Sequence, residues 1–356
     1  MKDDIANSSI SYKDTALCDG NNASNIKEAA NILKQGGLVA FPTETVYGLG
    51  ADALNADAAA KIYAAKGRPS DNPLIVHIAD IDDVSKLATV IPDKAKLLME
   101  AFWPGPLTII LPKKDIVPDG TTGGLNTVAI RMPSHPTALS LIRESGVFIA
   151  APSANTSGRP SPTLASHVYE DMNGRIEMIL DGGAVGIGIE STIVDLTGDI
   201  PTILRPGFIT KAMLEDIIGD VAIDKALIEP DPSLRPKAPG MKYTHYAPKG
   251  KLSVVETSDV VATINSLVAQ SYGKGSRVAV LASKEHAGEY ICDDILVLGE
   301  ANKGETIAAH LYSALRECDA RNIDYIYSES FHQTSLGGAI MNRLLKAAGQ
   351  RVIRDD

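Results

Sequence analysis

The sequence of 356 residues contains few cysteines and few aromatic residues, and it has no long apolar run. Its three cysteines, at positions 18, 292 and 318, lie far apart and form no CxxC pair, so the sequence predicts neither a zinc site nor a disulfide framework. No apolar run approaches the roughly 18 residues that a membrane helix needs. The first 19 residues are polar and lack the apolar core of a signal peptide, so we expect a cytoplasmic protein without a membrane anchor.

Common catalytic motifs are missing as well. The chain has no Walker A sequence, no G-x-S-x-G elbow and no H-E-x-x-H pair, which excludes P-loop enzymes and the standard hydrolases. No Ser-His-Asp pattern, metal-ligand spacing or pair of acids stands out in their place. We therefore expect no metal site built from protein ligands.

The charge balance is acidic, with a net charge of −10 and a pI of about 5.2. A negative surface repels phosphate backbones, and aromatic residues that could stack on bases make up only 5% of the chain. These two features argue against direct binding of RNA, but they do not exclude a local basic pocket. Apolar residues make up 44%, which is enough for ordinary buried cores and excludes a disordered chain.

Prolines divide the chain into two parts. Five of the 20 prolines fall within residues 226–250. Proline fixes φ and lacks an N–H donor, so this stretch should be extended and form neither a helix nor a central strand. We predict a first domain at residues 20–225, a proline-rich linker at 226–250 and a second domain at 251–356.

Helix and strand signals differ between the two predicted domains. In the first, several apolar runs typical of strands follow one another directly, which predicts an α/β domain with a twisted mixed sheet. In the second, strands and helices alternate more regularly, which predicts a smaller α/β domain of Rossmann-like type. Its first strand is not followed by G-x-G-x-x-G, so dinucleotide binding is not supported.

Cations and hydroxyl groups lie mostly at predicted strand ends and in loops of the first domain. They include Thr43 and Thr45, Lys66, Arg68 and Asn72, Arg131, Ser153 and Ser161, Ser191, and Arg205. A pocket that gathers such groups without an evident nucleophile suits phosphoryl or nucleotidyl transfer, where catalysis depends on positioning and charge neutralisation. Each segment alone also has an ordinary structural interpretation, such as a capped turn or a basic helix end.

Two polar residues at predicted strands leave alternatives open. Arg131 is costly to desolvate without a partner, so it should pair either with a substrate carboxylate or with a buried Asp or Glu. His77 lies within an apolar strand, where it either makes structural hydrogen bonds or binds a polar substrate if it faces a pocket.

Eight segments of the first domain recur in one order in a known family. They are Phe41-Pro-Thr-Glu-Thr-Val-Tyr-Gly-Leu, Lys66-Gly-Arg-Pro, Asn72-Pro-Leu-Ile-Val-His, Trp103-Pro-Gly-Pro-Leu-Thr, Val128-Ala-Ile-Arg-Met-Pro, Ser153-Ala-Asn-x-Ser-Gly, Glu190-Ser-Thr-Ile-Val-Asp and Arg205-Pro-Gly. Together they resemble the L-threonylcarbamoyl-AMP synthases, the YrdC-like family, from about residue 24 to 216. The linker sequence Tyr243-Thr-His-Tyr-Ala-Pro and the second domain resemble the long, two-domain form of that enzyme.

The resemblance implies a reaction in which L-threonine, bicarbonate and ATP, with Mg²⁺, give L-threonylcarbamoyl-AMP and pyrophosphate. The product would pass to the machinery that makes N6-threonylcarbamoyladenosine in tRNA. By similarity, threonine would be held by Thr45, His77, Arg131, Ala151 and Ser191, and ATP by Lys66, Arg68, Asn72, Thr127, Ser153, Ser161, Arg205 and Tyr243. Lys66 and Arg68 would be the catalytic residues, because they would neutralise the charge that develops on the phosphates.

Other interpretations compete with this one. An RNA-binding or ribosome-associated module without turnover is opposed by the acidic charge. Carbamoyl transfer from carbamoyl phosphate uses a related domain within a larger chain, whose zinc-finger and acylphosphatase parts are not found in this sequence. Within the linker, Tyr243, His245 and Tyr246 either anchor it to a domain surface or close over the ATP site as a lid.

Overall fold

The computed structural model describes residues 14–227, 236–239 and 246–355. The strands are β1 (Ala16–Asp19), β2 (Val39–Phe41), β3 (Gly48–Asp52), β4 (Ile75–His77), β5 (Leu107–Pro112), β6 (Thr127–Arg131), β7 (Ile149–Ala150), β8 (Met178–Asp181), β9 (Thr192–Asp195), β10 (Thr202–Arg205), β11 (Ala222–Ile223), β12 (Lys251–Glu256), β13 (Val278–Ser283), β14 (Asp294–Gly299), β15 (Tyr325–Glu329) and β16 (Val352–Arg354). The helices are α1 (Ala23–Lys34), α2 (Ala56–Lys66), α3 (Val84–Leu87), α4 (Asp93–Phe102), α5 (Asp119–Thr122), α6 (Pro136–Ser145), α7 (Ala165–Met172), α8 (Lys211–Ile218), α9 (Val260–Tyr272), α10 (Gly304–Ala320) and α11 (Gly337–Ala347).

The first sheet combines parallel and antiparallel pairs. Within the described residues, eleven strands lie in the order β1-β8-β2-β3-β7-β4-β6-β5-β9-β10-β11. Strand β4 runs parallel to β6, whereas β5 runs antiparallel to β6. The twisted mixed sheet predicted for the first domain is therefore confirmed.

One face of this sheet packs on helices. Val76 of β4 and Ile130 of β6 enter a core with Ile62 of α2, Leu98 of α4 and Leu214 of α8. Successive side chains of a strand point to opposite faces, so the residues on either side of Val76 and Ile130 face away from this core.

The opposite face of β4 and β6 carries the polar residues. In the parallel register Ile75 pairs with Ala129, and His77 pairs with Arg131. The apolar part of this face is covered by Ala238 of the linker, which packs in a cluster with Ile75 and Ala129. His77 and Arg131 therefore lie side by side at the carboxyl ends of two strands, beside a segment that comes from the linker.

The second sheet is entirely parallel, in the order β14-β13-β15-β12-β16. Parallel strands need crossover connections, and helices α9, α10 and α11 supply three of them. Ile264 of α9 packs in one core, while Leu311 of α10 and Leu344 of α11 pack in another. The smaller Rossmann-like α/β domain is confirmed.

Two local features shape the start of the first domain. The side chain of Asn22 caps α1 by accepting from the backbone N–H groups of residues 24 and 25. The glycine-containing segment after β2 forms β3, which pairs with β2 and β7. A Cβ on Gly50 would come within 2.9 Å of the side chains of Phe41 and Ile149, so glycine permits this close approach.

The predicted linker at 226–250 lies only partly within the described residues, since 228–235 and 240–245 fall outside them. None of the helices in the described ranges is both long enough and apolar enough to cross a bilayer.

Candidate active site

A cleft of about 680 Å³ lies on the polar face of β4 and β6. It is lined by Thr43, Thr45, Val46, Gly48, Lys66, Arg68, Ile75, His77, Arg131, Ala151, Pro152, Ser153, Asn155, Ser157, Glu190, Ser191, Arg205, Pro239 and Tyr246. These residues come from strand ends, from the loops that follow them and from the described parts of the linker. The cleft therefore gathers groups that are up to about 200 residues apart in sequence.

One end of the cleft pairs its cation with an acid. Arg131, the last residue of β6, donates from Nη2 to Glu44 Oε1 at 2.6 Å and from Nη1 to Thr45 Oγ1 at 3.0 Å. Burial alone would raise the pKa of Glu44, but Arg131 and the N–H of Ser134 lower it overall. We call Glu44, Thr45, His77 and Arg131 the paired end.

His77 is buried and uncharged at this end. Burial, and then the nearby Arg131, lower the pKa of His77 to about 3. Its Nδ1 lies 3.1 Å from the carbonyl oxygen of Ile75. Because a carbonyl only accepts, the neutral ring carries its proton on Nδ1, and Nε2 keeps its lone pair as an acceptor.

The other end of the cleft begins at Lys66, where α2 ends. Its Nζ donates to the backbone carbonyl oxygens of Ser153 and Asn155, which fixes the ammonium against the loop after β7. Burial, and then the charge of Arg68, lower the pKa of Lys66 well below its ordinary value.

Arg68 lies in the loop that follows α2. Its Nη2 lies 3.4 Å from the carbonyl oxygen of Asn72 and 3.3 Å from that of Pro73. Its buried Nε has no partner among the described residues, and burial lowers the pKa of Arg68 to about 10. An unpaired N–H on a guanidinium is suited to an anionic oxygen.

Arg205 ends β10 on the same side of the cleft. It donates from Nε to the backbone oxygen of Ser191 at 3.0 Å and from Nη2 to Ser191 Oγ at 3.0 Å, and its Nη1 lies 3.4 Å from the carbonyl oxygen of Pro239. Thr108 holds the same Ser191 hydroxyl at 2.8 Å. Burial lowers the pKa of Arg205 to about 10.

Lys66, Arg68 and Arg205 form what we call the cationic end. Within the part of the chain that the structure describes, none of them has an ion pair within 4 Å, and the hydrogen-bond acceptors around them are neutral carbonyl and hydroxyl oxygens. Neutral acceptors position a cation without cancelling its charge. This end is therefore built to receive a polyanion.

Glu190 lines the cleft next to Ser191, but its carboxylate is occupied. Ser161 donates to Oε1 at 2.6 Å, Tyr312 to Oε2 at 2.9 Å, and Arg343 from Nε to Oε2 at 3.1 Å. Burial would raise the pKa of Glu190, but Arg343 and Arg205 lower it to about 2. Two of its three partners belong to the second domain.

Most of the predicted site residues meet in the cleft. Those that line it are Thr45, Lys66, Arg68, His77, Arg131, Ala151, Ser153, Ser191 and Arg205. Among the other predicted residues that the structure describes, Asn72, Thr127 and Ser161 do not line it. Tyr243 lies outside the described residues, as does His245 of the lid hypothesis.

The three described residues that do not line the cleft differ in their surroundings. Thr127 starts β6, four residues before Arg131 and so roughly 13 Å away along the strand. The hydroxyl of Ser161 is turned to Glu190. Asn72 is buried, and its Oδ1 has no partner among the described residues. Their roles in ATP binding stay predictions.

The sequence-based site omitted several lining residues, including Asn155, Ser157, Glu190 and Pro239, and it also omitted Glu44, which binds Arg131 beside the cleft. Glu44 and Glu190 stand directly before the predicted Thr45 and Ser191, which was the available signal. Tyr246, named only in the lid hypothesis, lines the cleft and packs its ring on Tyr312 at 5.1 Å between centroids. The described linker residues thus contact the site, while the gating motion stays a prediction.

Among the described residues, no group of three or more His, Cys, Asp or Glu side chains could hold a metal ion. Glu190, which lines the cleft, and Glu44, which lies beside it, already bind arginines through their carboxylates.

Comparisons with known proteins match both parts of the chain. A family model described as "Telomere recombination" matches residues 31–207, and one described as "Threonylcarbamoyl-AMP synthase, C-terminal domain" matches residues 209–349. A Bacillus subtilis protein named threonylcarbamoyl-AMP synthase is 56% identical over 330 residues, which cover 92% of this chain and 94% of that protein. A Pyrococcus abyssi protein of the same name is 49% identical over 331 residues, which cover 92% of this chain and 95% of that protein. The crystal structure of P. abyssi Sua5 complexed with L-threonine is similar with a TM-score of 0.91 and 47% identity, over 96% of this chain and 99% of that one.

Proposed function

The chain belongs to the threonylcarbamoyl-AMP synthase family in its long, two-domain form, and we propose that the cleft makes L-threonylcarbamoyl-AMP from L-threonine, bicarbonate and ATP. The observation that carries this proposal is the division of one cleft into a paired end and a cationic end. A zwitterionic amino acid fits the first, and a triphosphate fits the second.

We assign threonine to Thr45, His77 and Arg131 of the paired end and to Ser191, whose hydroxyl also accepts from Arg205. The neutral His77 accepts a hydrogen bond from the substrate through Nε2, because Nδ1 is held by the carbonyl of Ile75. Glu44 keeps Arg131 in place, so Arg131 would meet the threonine carboxylate with a geometry that is already set. In support, the P. abyssi relative binds L-threonine in a structure of the same fold.

The chemistry proceeds in two steps. The threonine amine bonds to the carbon of bicarbonate, and water leaves, which gives a carbamate. A carbamate oxygen then attacks the α-phosphorus of ATP, the bond from that phosphorus to the bridging oxygen breaks, and pyrophosphate leaves. Lys66, Arg68 and Arg205 neutralise the charge that builds on the phosphates, and the fixed carbonyl contacts of Lys66 and Arg68 hold these cations ready before the substrate arrives.

Magnesium enters this scheme as part of the substrate. Mg²⁺ keeps several waters and is commonly bound through substrate phosphates. Because the carboxylates of Glu190 and Glu44 are occupied by arginines, the ion would be held by the phosphates of ATP and by water. The product then serves the tRNA-modifying machinery of the cytoplasm, which lets an acidic protein support tRNA modification without binding tRNA.

Pyrophosphate release tests the proposal. We expect release from ATP only when L-threonine and bicarbonate are both present, with L-threonylcarbamoyl-AMP detected by mass spectrometry. Serine in place of threonine and omission of bicarbonate are the matched controls. Release of pyrophosphate that ignores either substrate would contradict the assignment, and so would salt-sensitive RNA binding without turnover.

A further inference from the structure

We propose that helix α10 of the second domain is a positioning element for the reaction, in which Tyr312 holds one wall of the cleft and Arg316 holds the other. The proposal rests on the proposed function. Tyr312 and Arg316 are four residues apart, so they lie on the same face of α10, one turn from each other. Both are buried at the contact between the two domains.

Tyr312 reaches the wall that carries Ser191 and Arg205. Its hydroxyl donates to the carboxylate of Glu190 at 2.9 Å, and Glu190 directly precedes Ser191. Arg343 of α11 binds the same carboxylate and also the backbone oxygen of Pro206, next to Arg205. This wall is therefore held from the second domain on both sides of the Ser191–Arg205 contact.

Arg316 reaches the wall that carries Lys66. Its Nη2 donates to Asp171 Oδ2 at 2.9 Å and to the backbone oxygen of Pro160 at 2.7 Å. The same Asp171 oxygen accepts from the N–H of Thr156 at 3.1 Å. Arg316 thereby fixes the loop of residues 153–160 at two points.

That loop in turn holds the ammonium of Lys66. The backbone oxygens of Ser153 and Asn155 accept from Nζ, and the N–H of Ser157 donates to the Lys66 carbonyl at 2.8 Å. A shift of the loop would therefore move the cation. Misplacement of a reacting group by about 1 Å is enough to slow catalysis roughly a hundredfold.

The distance between α10 and the loop that contains Gly188 is fixed as well. Gly188 has φ +82°, and a Cβ there would lie 2.4 Å from the carbonyl oxygen of Ala308 on α10. The N–H of Gly188 donates to the carbonyl of Thr45 at 3.1 Å, so this loop is held between the paired end and the helix. Val46 and Ile189 share an apolar cluster with Leu311 of α10, which closes the contact against water.

Tyr312 binds Glu190, whereas Arg316 binds Asp171. Because the two acids hold different loops, each contact can be removed without the other. Tyr312→Phe keeps the ring against Tyr246 and removes only the hydroxyl. Arg316→Gln removes the fork to Asp171. We expect Arg316→Gln to raise the KM for ATP about tenfold and the KM for threonine less than twofold. We expect Tyr312→Phe to raise the KM values for threonine and for ATP by similar factors, about fivefold, because the wall that it holds carries both Ser191 and Arg205.

The second domain supplies matched controls. Tyr290 also donates from a buried ring hydroxyl to a carboxylate, Glu329 Oε1 at 3.0 Å, but within its own domain. Arg321 pairs with Asp294 and Glu317, again within that domain. Both Tyr290→Phe and Arg321→Gln should leave the two KM values unchanged. Tyr290→Phe should lower the melting temperature about as much as Tyr312→Phe, whereas Arg321→Gln, at a part-exposed ion pair, should lower it less than Arg316→Gln.

The outcomes separate the two claims. If the wild-type protein releases no pyrophosphate with threonine, bicarbonate and ATP, the proposed function fails and the role of α10 fails with it. If the wild type is active and the test variants lose only thermal stability, or if Arg316→Gln changes both KM values equally, the positioning role is wrong. Should Arg316→Gln not fold, Arg316→Lys, which keeps one charge beside Asp171, and Tyr312→Phe decide the question.

Discussion

The two ends of the cleft differ in the partners of their buried cations. At the paired end, Arg131 lies 2.6 Å from the carboxylate of Glu44. At the cationic end, Lys66, Arg68 and Arg205 are surrounded by backbone carbonyls and by the hydroxyl of Ser191. The first end is close to neutral before any ligand binds, whereas the second holds an excess of positive charge.

The difference shows how one cleft can distinguish two unlike substrates. Burial disfavours the charged forms of Lys66, Arg68 and Arg205, as their lowered pKa values indicate, and an incoming polyphosphate would relieve this penalty. At the paired end, the carboxylate of Glu44 already relieves the burial penalty on Arg131. This end is therefore complementary to a molecule without net charge. Measurements that change one end alone should therefore change the binding of one substrate alone.

The largest effect is expected from the cationic end. Arg68→Ala removes a guanidinium that neutral carbonyls only position, so kcat/KM should fall about 10²–10³-fold, or about 3–4 kcal/mol of transition-state stabilisation. Pyrophosphate release at varied ATP measures it, and threonine affinity should hardly change. Arg143→Ala, at an exposed arginine of α6, is the control. Near wild-type turnover of Arg68→Ala would remove this residue from the catalytic set.

The next effect concerns the ion pair of the paired end. Glu44→Gln leaves Arg131 buried without its counter-charge, which should destabilise the fold by about 2–3 kcal/mol and weaken threonine binding. Urea denaturation and threonine titration measure the two losses.

A double variant tests the cause of that loss. Glu44→Gln with Arg131→Gln should be more stable than Glu44→Gln alone, because the unpaired charge is gone. Simple additivity of the two substitutions would show that the pair does not act as a unit.

An effect that is smaller per pH unit comes from the neutral His77. Its pKa of about 3 in the fold lies below the ordinary value of 6.5, so between these pH values the unfolded chain binds more protons. Stability should thus fall as the pH drops below about 6.5, by at most about 1.4 kcal/mol per unit from this residue. His77→Asn should flatten the dependence between pH 6.5 and 4 in denaturation curves. Parallel curves for the variant and the wild type would contradict a neutral His77.

The smallest effect is expected from salt. Raising the salt concentration from 0.05 to 0.5 M should raise the KM for ATP about two- to threefold, because screening weakens the attraction between the cationic end and a polyanion. The KM for threonine should stay level, since a zwitterion has no net charge. Equal salt dependence for both substrates would remove the electrostatic distinction between the two ends.

The sequence predicted much of this site because strand ends are local features. Lys66, Arg131 and Arg205 each end a helix or a strand, and runs of apolar residues located these elements. The partner of Arg131 was left open between a substrate and a buried acid. The structure shows Glu44, which lies 87 residues away in sequence, so no local pattern could have named it.

The contacts that the second domain makes with Glu190 could not be predicted from the sequence for the same reason. Tyr312 and Arg343 meet Glu190 across 122 and 153 residues, and they sit in helices whose apolar periodicity only predicts packing. Thr127 and Ser161 were assigned to ATP by resemblance. Thr127 starts β6 and Ser161 donates to Glu190, and their assignment to ATP stays a prediction. Whether such residues line the cleft depends on strand register and on contacts between the domains, which no local sequence pattern shows.

Because α10 lies late in the chain, it is synthesised after the residues that line the cleft. Every lining side chain contributed by the first sheet precedes residue 206, while Tyr312 and Arg316 follow roughly 110 residues later, about 5–20 s at ordinary rates of translation. The nascent chain would thus display the groups assigned to substrate binding before α10 has left the ribosome. On the proposed role of α10, competence for catalysis would be acquired late in translation, when the helix docks against Gly188.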